Sequence, residues 1–288
     1  MTSTFFFNSD CDSAGNSADN VNCARSAALD ALRMRDVTEK TAAAQALYLR
    51  VTAQEAICRP AIDIAALAGI PGRPTRPALV APRLLDRRGI QSEPGRAILL
   101  HALAHIEFNA INLALDAVWR FAEMPVAFYT DWIGVAAQEA HHFSLLNARL
   151  GELGHEYGDF TAHDGLWEMC ERTSDDVLAR MALIPRTLEA RGLDASPPIR
   201  AKLAQAGDHA SAAILDVILR DEVEHVRIGN HWFRYLCEQR GFDEHSTYRR
   251  LAQQYRAPKL RGPFNFEARR AAGFDESELA MLRESPLD

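Results

Sequence analysis

Long apolar runs, signal sequences and paired cysteines are missing from this sequence. Nowhere in the 288 residues do about 18 apolar residues follow one another, so we expect no membrane span. The amino terminus has neither a basic segment nor a long apolar one, so we expect no secretory signal. The five cysteines are scattered without a Cys-x-x-Cys pair, which favours a reduced cytoplasm over a disulfide framework. We therefore expect a cytoplasmic protein.

Aromatic residues and basic charge are also scarce. Aromatics make up 8% of the chain, which has only 16 glycines and 13 prolines, and this composition disfavours an all-β sandwich. The 32 Lys and Arg residues face 39 Asp and Glu residues, and a net charge of −7 does not suggest a nucleic-acid-binding protein. The remaining composition, 48% hydrophobic and 25% charged, is typical of a globular protein with a substantial core.

The spacing of apolar residues predicts an all-α, four-helix bundle with helical extensions. Apolar residues recur every three or four positions in four segments, 95–121, 126–150, 174–190 and 208–237. We expect the third helix to be kinked at Pro185 and to end at Gly192, with a short connecting helix over 197–206. The expected organisation is a disordered tail (1–23), a helical extension with a Pro-rich linker (24–94), the bundle (95–240) and a helical tail packed on it (241–288).

Each of the four predicted helices places a glutamate where its apolar stripe continues. These residues are Glu107, Glu139, Glu189 and Glu222. A core-facing carboxylate costs several kcal/mol unless it is paired or bound to metal. Two of the four are followed three residues later by a histidine, His142 and His225, which lies on the same helix face. The order Glu, Glu-x-x-His, Glu, Glu-x-x-His is the ligand pattern of a bundle that holds two metal ions.

Spacing strengthens this prediction beyond the short motif. Glu107 lies 17 residues before the break at Met124 and Glu139 lies 15 after it, so an antiparallel hairpin brings both to one level. The second pair is less regular, because the segment after Gly192 must run back along the bundle. A third Glu-x-x-His, at Glu152, lies in a helix-ending turn and is rejected as a ligand pair.

The motifs around these residues resemble the ferritin-like superfamily of di-iron carboxylate proteins. More closely, they resemble a bacterial ferritin-like family described only as a domain of unknown function, and they are distantly similar to tRNA-hydroxylating monooxygenases. The resemblance covers about 24–285. It is carried by His105–Glu107, Gln138–Phe143, Leu188–Asp194, Asp221–Val226, Tyr157–Phe160 and Leu260–Asn265.

The resemblance implies that the metal is iron. We expect two iron ions, with manganese or a mixed pair as alternatives, and Glu139 and Glu222 as the better candidates for bridging both ions. Histidine ligands are usually oriented by a partner on the other ring nitrogen. We expect Asp221 to orient His142 and Gln138 to orient His225, although the superfamily often has an acidic residue at the place of Gln138.

The sequence predicts an oxidoreductase, an oxidase or hydroxylase that uses dioxygen or peroxide. Six ligands leave open metal positions for dioxygen, and carboxylate-rich ligation stabilises higher oxidation states. The substrate, small or macromolecular, and the electron donor are unidentified, and a homodimer is the expected assembly. Two alternatives stay open: a ferroxidase that stores metal or removes peroxide, and a helical scaffold with a vestigial site.

Other polar and aromatic residues have simpler explanations. His101 and His105 are expected to pack or cap, and His141 to face outward. Four aromatic residues are expected to be core or rim residues: Tyr129, Trp132, Tyr157 and Trp232. Four basic residues are expected to form a solvated face: Lys259, Arg261, Arg269 and Arg270.

Overall fold

The fold is all-α, as the sequence predicts. The computed structural model describes residues 23–53, 69–86 and 88–284. Within these ranges there is no β-strand, and the only β-type pairing is an isolated bridge between Leu79 and Ala162. The tail 1–22, the segment 54–68 within the predicted linker, residue 87 and the last four residues lie outside the described ranges, so the predicted disordered tail is not described.

Four long helical runs form the body of the protein. Two of them are the straight helices α3 and α4, which pack closely on each other, and α8 packs on the kinked run formed by α6, a π-helical turn and α7. The bounds are Glu93–Arg120 (α3), Val126–Glu152 (α4), Val177–Leu183 (α6), Ile184–Glu189 (the π segment), Ala190–Gln205 (α7) and His209–Arg240 (α8).

The third helix differs from its prediction. It does not end at Gly192, and no separate connecting helix follows, because α7 runs without a break through Gly192 and through Pro197 and Pro198. Packing of α7 along α8 outweighs the poor helix propensity of these residues. Glu189 therefore lies 18 residues before the turn at Gly207 and Glu222 lies 15 after it, so the second hairpin is as regular as the first.

Proline explains the π segment that carries Glu189. Pro185 has no N–H to donate to the preceding turn, so the helix widens over Ile184–Glu189. The widened turn packs directly on α8 at Gly229, where an added Cβ would lie 2.3 Å from Cβ of Pro185. Gly229 thus allows the close approach that sets the position of the π segment.

The amino-terminal helices are tied to the bundle by buried cations. Arg25 of α1 (Ala24–Arg33) donates to the carbonyl of Trp119 at 2.6 Å. Lys40 of α2 (Val37–Thr52) donates to the side chain of Asn112 at 2.5 Å and to the carbonyl of Gly72 at 2.8 Å. Because these contacts satisfy carbonyls of α3 and of the linker, the extension forms part of one core with the bundle.

The carboxy-terminal segment is helical and broken, as predicted. Its helices are Glu244–Gln254 (α9), Phe266–Ala271 (α10) and Glu276–Glu284 (α11). A further short helix, Gly165–Arg172 (α5), lies between α4 and α6.

One described helix, α3, is long and apolar enough to cross a membrane by length and composition alone, but 72% of its apolar window is buried inside the protein. A helix that is buried in the core of a folded protein passes the same test.

Of the cysteines in the described ranges, Cys170 and Cys237 are free and buried, whereas Cys23 is disulfide-bonded. The bond at Cys23 differs from the expectation of unpaired thiols, so the cysteines alone do not establish a reduced compartment.

Candidate metal centre

Side chains from three helices meet in a buried Glu/His cluster. Glu107 of α3, Glu139 and His142 of α4, and Glu222 of α8 each offer one ligand atom, and these atoms lie within 4.8 Å of one another. All four residues are buried. A cluster of this composition and size could hold a metal ion.

Glu139 occupies the centre of the cluster, between the two histidines. Its Oε2 lies 3.4 Å from Nδ1 of His142, and its Oε1 lies 2.9 Å from Nδ1 of His225. On the outer side, Glu107 Oε2 is 3.3 Å from Nδ1 of His142, and Glu222 Oε1 is 3.8 Å from Nδ1 of His225. Both imidazoles therefore present the same nitrogen, Nδ1, to the carboxylates.

The opposite nitrogen of each ring is held by a residue from the facing helix. His142 Nε2 lies 3.1 Å from Oδ2 of Asp221, and His225 Nε2 lies 2.8 Å from Oε1 of Gln138. An acceptor at Nε2 fixes the N–H there and leaves Nδ1 as the free lone pair of a neutral imidazole. Since Asp221 and Gln138 each precede a cluster glutamate, the two helices orient each other's histidines.

Glu189 lies at the edge of the cluster. It is the last residue of the π segment and is outside the group whose atoms lie within 4.8 Å of one another. Burial raises its pKa well above the usual value, and repulsion from Glu222 and then from Glu139 adds to that rise. Glu189 is thus close enough to the cluster for the charges of Glu222 and Glu139 to raise its pKa.

Several polar atoms of the cluster are buried without a hydrogen bond. Among the described residues they include both carboxylate oxygens of Glu139, Oε2 of Glu189, Oε2 of Glu222 and Nδ1 of His225. The 2.9 Å contact between His225 and Glu139 brings the charges together but lacks hydrogen-bond geometry. Buried acceptors cost about 1–3 kcal/mol each when they lack a partner. A bound cation would satisfy them together, so the residues fit a metal.

Electrostatics agree with that fit. Burial raises the pKa of Glu107, and repulsion from Glu139 raises it further; burial and Glu139 likewise raise the pKa of Glu222. Burial acts against ionisation of Glu139 too, but His225 and His142 outweigh it and lower the pKa of that carboxyl. Burial disfavours the charged form of His142, yet its hydrogen bond to Glu107 raises its pKa. Without metal, the glutamates and histidines of the cluster share protons through these contacts. A bound cation would displace those protons.

A large cavity opens beside the cluster. Its volume is about 530 Å³, and three of the glutamates, Glu107, Glu189 and Glu222, form part of its wall. This explains why Glu189 is only partly buried although its Oε2 has no contact with solvent. Most of the remaining wall is apolar, from residues that include Leu103, Ile106, Ala110, Leu188, Ile199, Leu215 and Ile218. The volume lies in the range of small-molecule sites, about 300–1,000 Å³.

Comparison with known protein families shows which family the chain belongs to. The family described as "Protein of unknown function (DUF455)" matches residues 33–280, most of the chain and all of the cluster. The chain is a member of the DUF455 family. An uncharacterized protein of Haemophilus influenzae is 50% identical to it over 218 residues, which make up 73% of this chain and 76% of that protein. No solved structure matches the sequence.

Other histidines of this DUF455 protein lie outside the cluster. His101 Nε2 accepts the N–H of Gly158 at 2.9 Å, and His105 Nδ1 lies 2.8 Å from the hydroxyl of Tyr157. Both rings are buried, whereas His141 is exposed, as expected. The rejected Glu152 is exposed and pairs with Arg149. None of these residues belongs to the metal-sized group that contains Glu139.

His101 and His105 should make the stability of the protein fall in acid. Burial lowers the pKa of each to about 4 from the ordinary 6.5. Below pH 6.5 these two imidazoles therefore bind protons in the unfolded chain, whereas in the native state they bind protons only near pH 4. This contribution to stability is complete above pH 6.5 and is lost as the pH falls toward 4. Between pH 7 and pH 5 we expect the loss to be about 2 kcal/mol for each histidine.

Urea unfolding at the two pH values measures this loss. The double variant His101→Gln, His105→Gln should lose about 4 kcal/mol less than the wild type over the same interval. Equal losses in both proteins would show that the two imidazoles are not buried in their neutral form.

Asp221 should control metal affinity through His142. An Asp221→Ala protein should bind Fe(II) about 10- to 100-fold more weakly, because the imidazole loses the acceptor that orients it. Asp221→Asn, which keeps an acceptor oxygen, should recover part of the loss. Asp216→Ala is the matched control, since Asp216 lies on the same helix and pairs with Arg200, which is not a cluster residue. Competition titration with a metal chelator gives the affinities; equal values for Asp221→Ala and Asp216→Ala would refute the orienting role.

Proposed function

We propose that this DUF455 protein is a ferritin-like di-iron carboxylate enzyme, an oxidase or hydroxylase that activates dioxygen. The observation that supports it is the set of buried, unsatisfied carboxylate oxygens on facing helices, beside two oriented histidines and an apolar cavity. A cation satisfies the carboxylates, and the cavity gives an organic substrate access to them. Neither feature alone would favour an enzyme over a structural metal site.

The proposed ligands number six for two ions. They are Glu107, Glu139, His142, Glu189, Glu222 and His225. Glu139 suits a bridging role because its two oxygens approach different histidines. Glu222 approaches His225 and repels Glu139, which supports a role for Glu222 in holding the same two metal ions. Four carboxylates against two imidazoles form a hard, anionic donor set, which suits iron or manganese in the higher oxidation states.

The protein's own residues prepare the reaction. Asp221 and Gln138 hold the imidazoles, and the apolar wall excludes bulk water from the carboxylates. When bound, a pair of iron ions supplies the electrons that reduce dioxygen and the oxidant that attacks the substrate. Burial raises the pKa values of Glu107 and Glu222, and metal binding would favour their ionised forms.

Iron reconstitution followed by oxygen exposure tests this function. Protein loaded without oxygen with about two Fe(II) per chain should consume dioxygen once, and an added reductant should restart consumption. Continued oxidation of excess Fe(II) with growth of an iron mineral would favour a ferroxidase instead. Absence of bound iron would favour a helical scaffold. Glu222→Ala should abolish consumption, and Glu224→Ala is its control, because Glu224 lies on the same helix and pairs with Arg227.

A further inference from the structure

Two arginines of the cavity wall are exposed to solvent, and we call the part of the wall that they form the mouth. Arg191 of α7 and Arg261 of the loop between α9 and α10 both belong to the cavity wall and are both exposed. Neither forms a hydrogen bond or an ion pair with any residue of the described ranges. The nearby Arg269 behaves differently: it is fully buried and pairs with Asp194 at 2.6 Å, which corrects the expectation of a solvated face.

Pairing of Arg269 with Asp194 leaves the charge at the mouth positive. Asp194 follows Arg191 by three residues in the wall, and Arg269 and the N–H of Asn265 already occupy its carboxylate. Neither exposed guanidinium forms an ion pair with a carboxylate of the described wall. An arginine is a suitable partner for a carboxylate or phosphate group because its fork of N–H donors matches two oxygens.

The interior of the cavity has the opposite character. Most of the other wall residues are apolar, among them aliphatic side chains of α3, α7 and α8 with Pro263 and Phe264 of the loop. One molecule that satisfies both regions has an apolar body and a single anionic end, with the body toward the cluster and the anion toward the mouth.

We propose that the substrate is an elongated apolar molecule with one anionic end group, bound by Arg191 and Arg261. This inference rests on the proposed function, because it assumes that the cavity delivers a substrate to the metal site. It assigns Arg191 and Arg261 to substrate binding and leaves metal binding to the carboxylates. The apolar end, rather than the charged end, is then the part of the substrate that is oxidised.

Binding of three probes with one chain length and different heads tests the substrate class. Decanoate is anionic, decanol is neutral and decyltrimethylammonium is cationic, and displacement of a fluorescent apolar dye measures their affinities for the metal-loaded protein. We expect decanoate to bind at least about tenfold more tightly than decanol, the effect of about one good charged contact. Equal affinities, tighter binding of the cation, or no binding of decanoate would overturn the proposal.

Variants locate the binding site. Arg191→Gln, Arg261→Gln should remove the preference for decanoate and leave decanol unaffected. Arg200→Gln, Arg240→Gln is the matched control, since these arginines pair with Asp216 and Asp176 and neither lines the cavity. Ala195→Trp, at an exposed position of the wall, should weaken both probes. A preference that survives in the Arg191, Arg261 variant would overturn the assignment of these two residues.

Metal content, measured on the same samples, separates this inference from the proposed function. Metal-loaded protein that ignores decanoate would refute the substrate class alone. Protein that binds decanoate with the expected preference but never retains iron would refute the enzyme function and leave the anionic, apolar ligand standing.

Discussion

Replacing Glu139 with alanine should abolish metal binding. Glu139 lies between His142 and His225, and both of its oxygens are buried without a hydrogen bond. No other cluster residue approaches both imidazoles, so we expect iron to fall from about two ions per chain to a trace. Elemental analysis after anaerobic loading with Fe(II) and gel filtration measures the result. The isosteric Glu139→Gln variant should also fail, because an amide does not supply the bridging anion.

Glu152→Ala provides the control for this variant. Glu152 lies on the same helix and begins the same Glu-x-x-His motif, but its side chain is exposed and pairs with Arg149. The Glu152→Ala protein should therefore bind as much iron as the wild type. Circular dichroism shows whether the Glu139 variants remain folded. A folded Glu139→Ala protein that retains two ions would contradict the assignment of Glu139 as the central ligand.

Replacing Gly229 with alanine should destabilise the protein and weaken iron binding together. The new Cβ would lie 2.3 Å from Cβ and 2.5 Å from Cγ of Pro185, inside contact distance. A proline ring cannot rotate away, so the π segment must shift, at a cost of about 1–3 kcal/mol in the free energy of unfolding. Because Glu189 ends that segment, the same shift should lower the affinity for iron. Urea unfolding and chelator competition measure the two effects.

Gly151→Ala is the matched control for Gly229→Ala. Gly151 is also helical, but a Cβ there meets no atom within 4 Å. Alanine is the better helix former, so this variant should be as stable as the wild type or up to about 1 kcal/mol more stable. A Gly229→Ala protein with wild-type stability would show that α8 and the π segment do not pack as closely as described.

The sequence predicted the helices because their stripes and caps are local. Ser92 accepts the N–H of Gly95 at the start of α3, and Asp208 accepts the N–H of Ser211 at the start of α8. The break at Pro125 and the kink at Pro185 were also readable, since proline lacks a donor. The apolar stripes and the level of the first hairpin indicated which glutamates and histidines meet in the cluster, and their role as ligands stays a prediction.

The course of α7 was not readable in the same way. Gly192, Pro197 and Pro198 are poor helix formers, yet tertiary packing on α8 keeps the helix continuous through them. The close packing of the turn at Pro185 on α8 requires Gly229, which is 44 residues away. Contacts between residues so far apart along the chain leave no pattern in the local sequence.

The cavity and its arginines depend on distant contacts as well. Arg269 pairs with Asp194 across 75 residues, and the loop with Arg261 joins a wall that begins on α3. Charge alone suggested a solvated face for both arginines. Only the packed structure separates Arg269, which is buried and paired, from Arg261, which is exposed at the mouth.

Anomalous diffraction from crystals loaded with Fe(II), recorded at the iron edge, tests the central claim most directly. The account predicts two peaks, about 3.5–4 Å apart, among Glu107, Glu139, His142, Glu189, Glu222 and His225. A second, partly exposed group of potential ligands, His245, Asp275 and Glu278, should show no peak. Iron found only at that second group, or no ordered iron beside Glu139, would contradict the di-iron site.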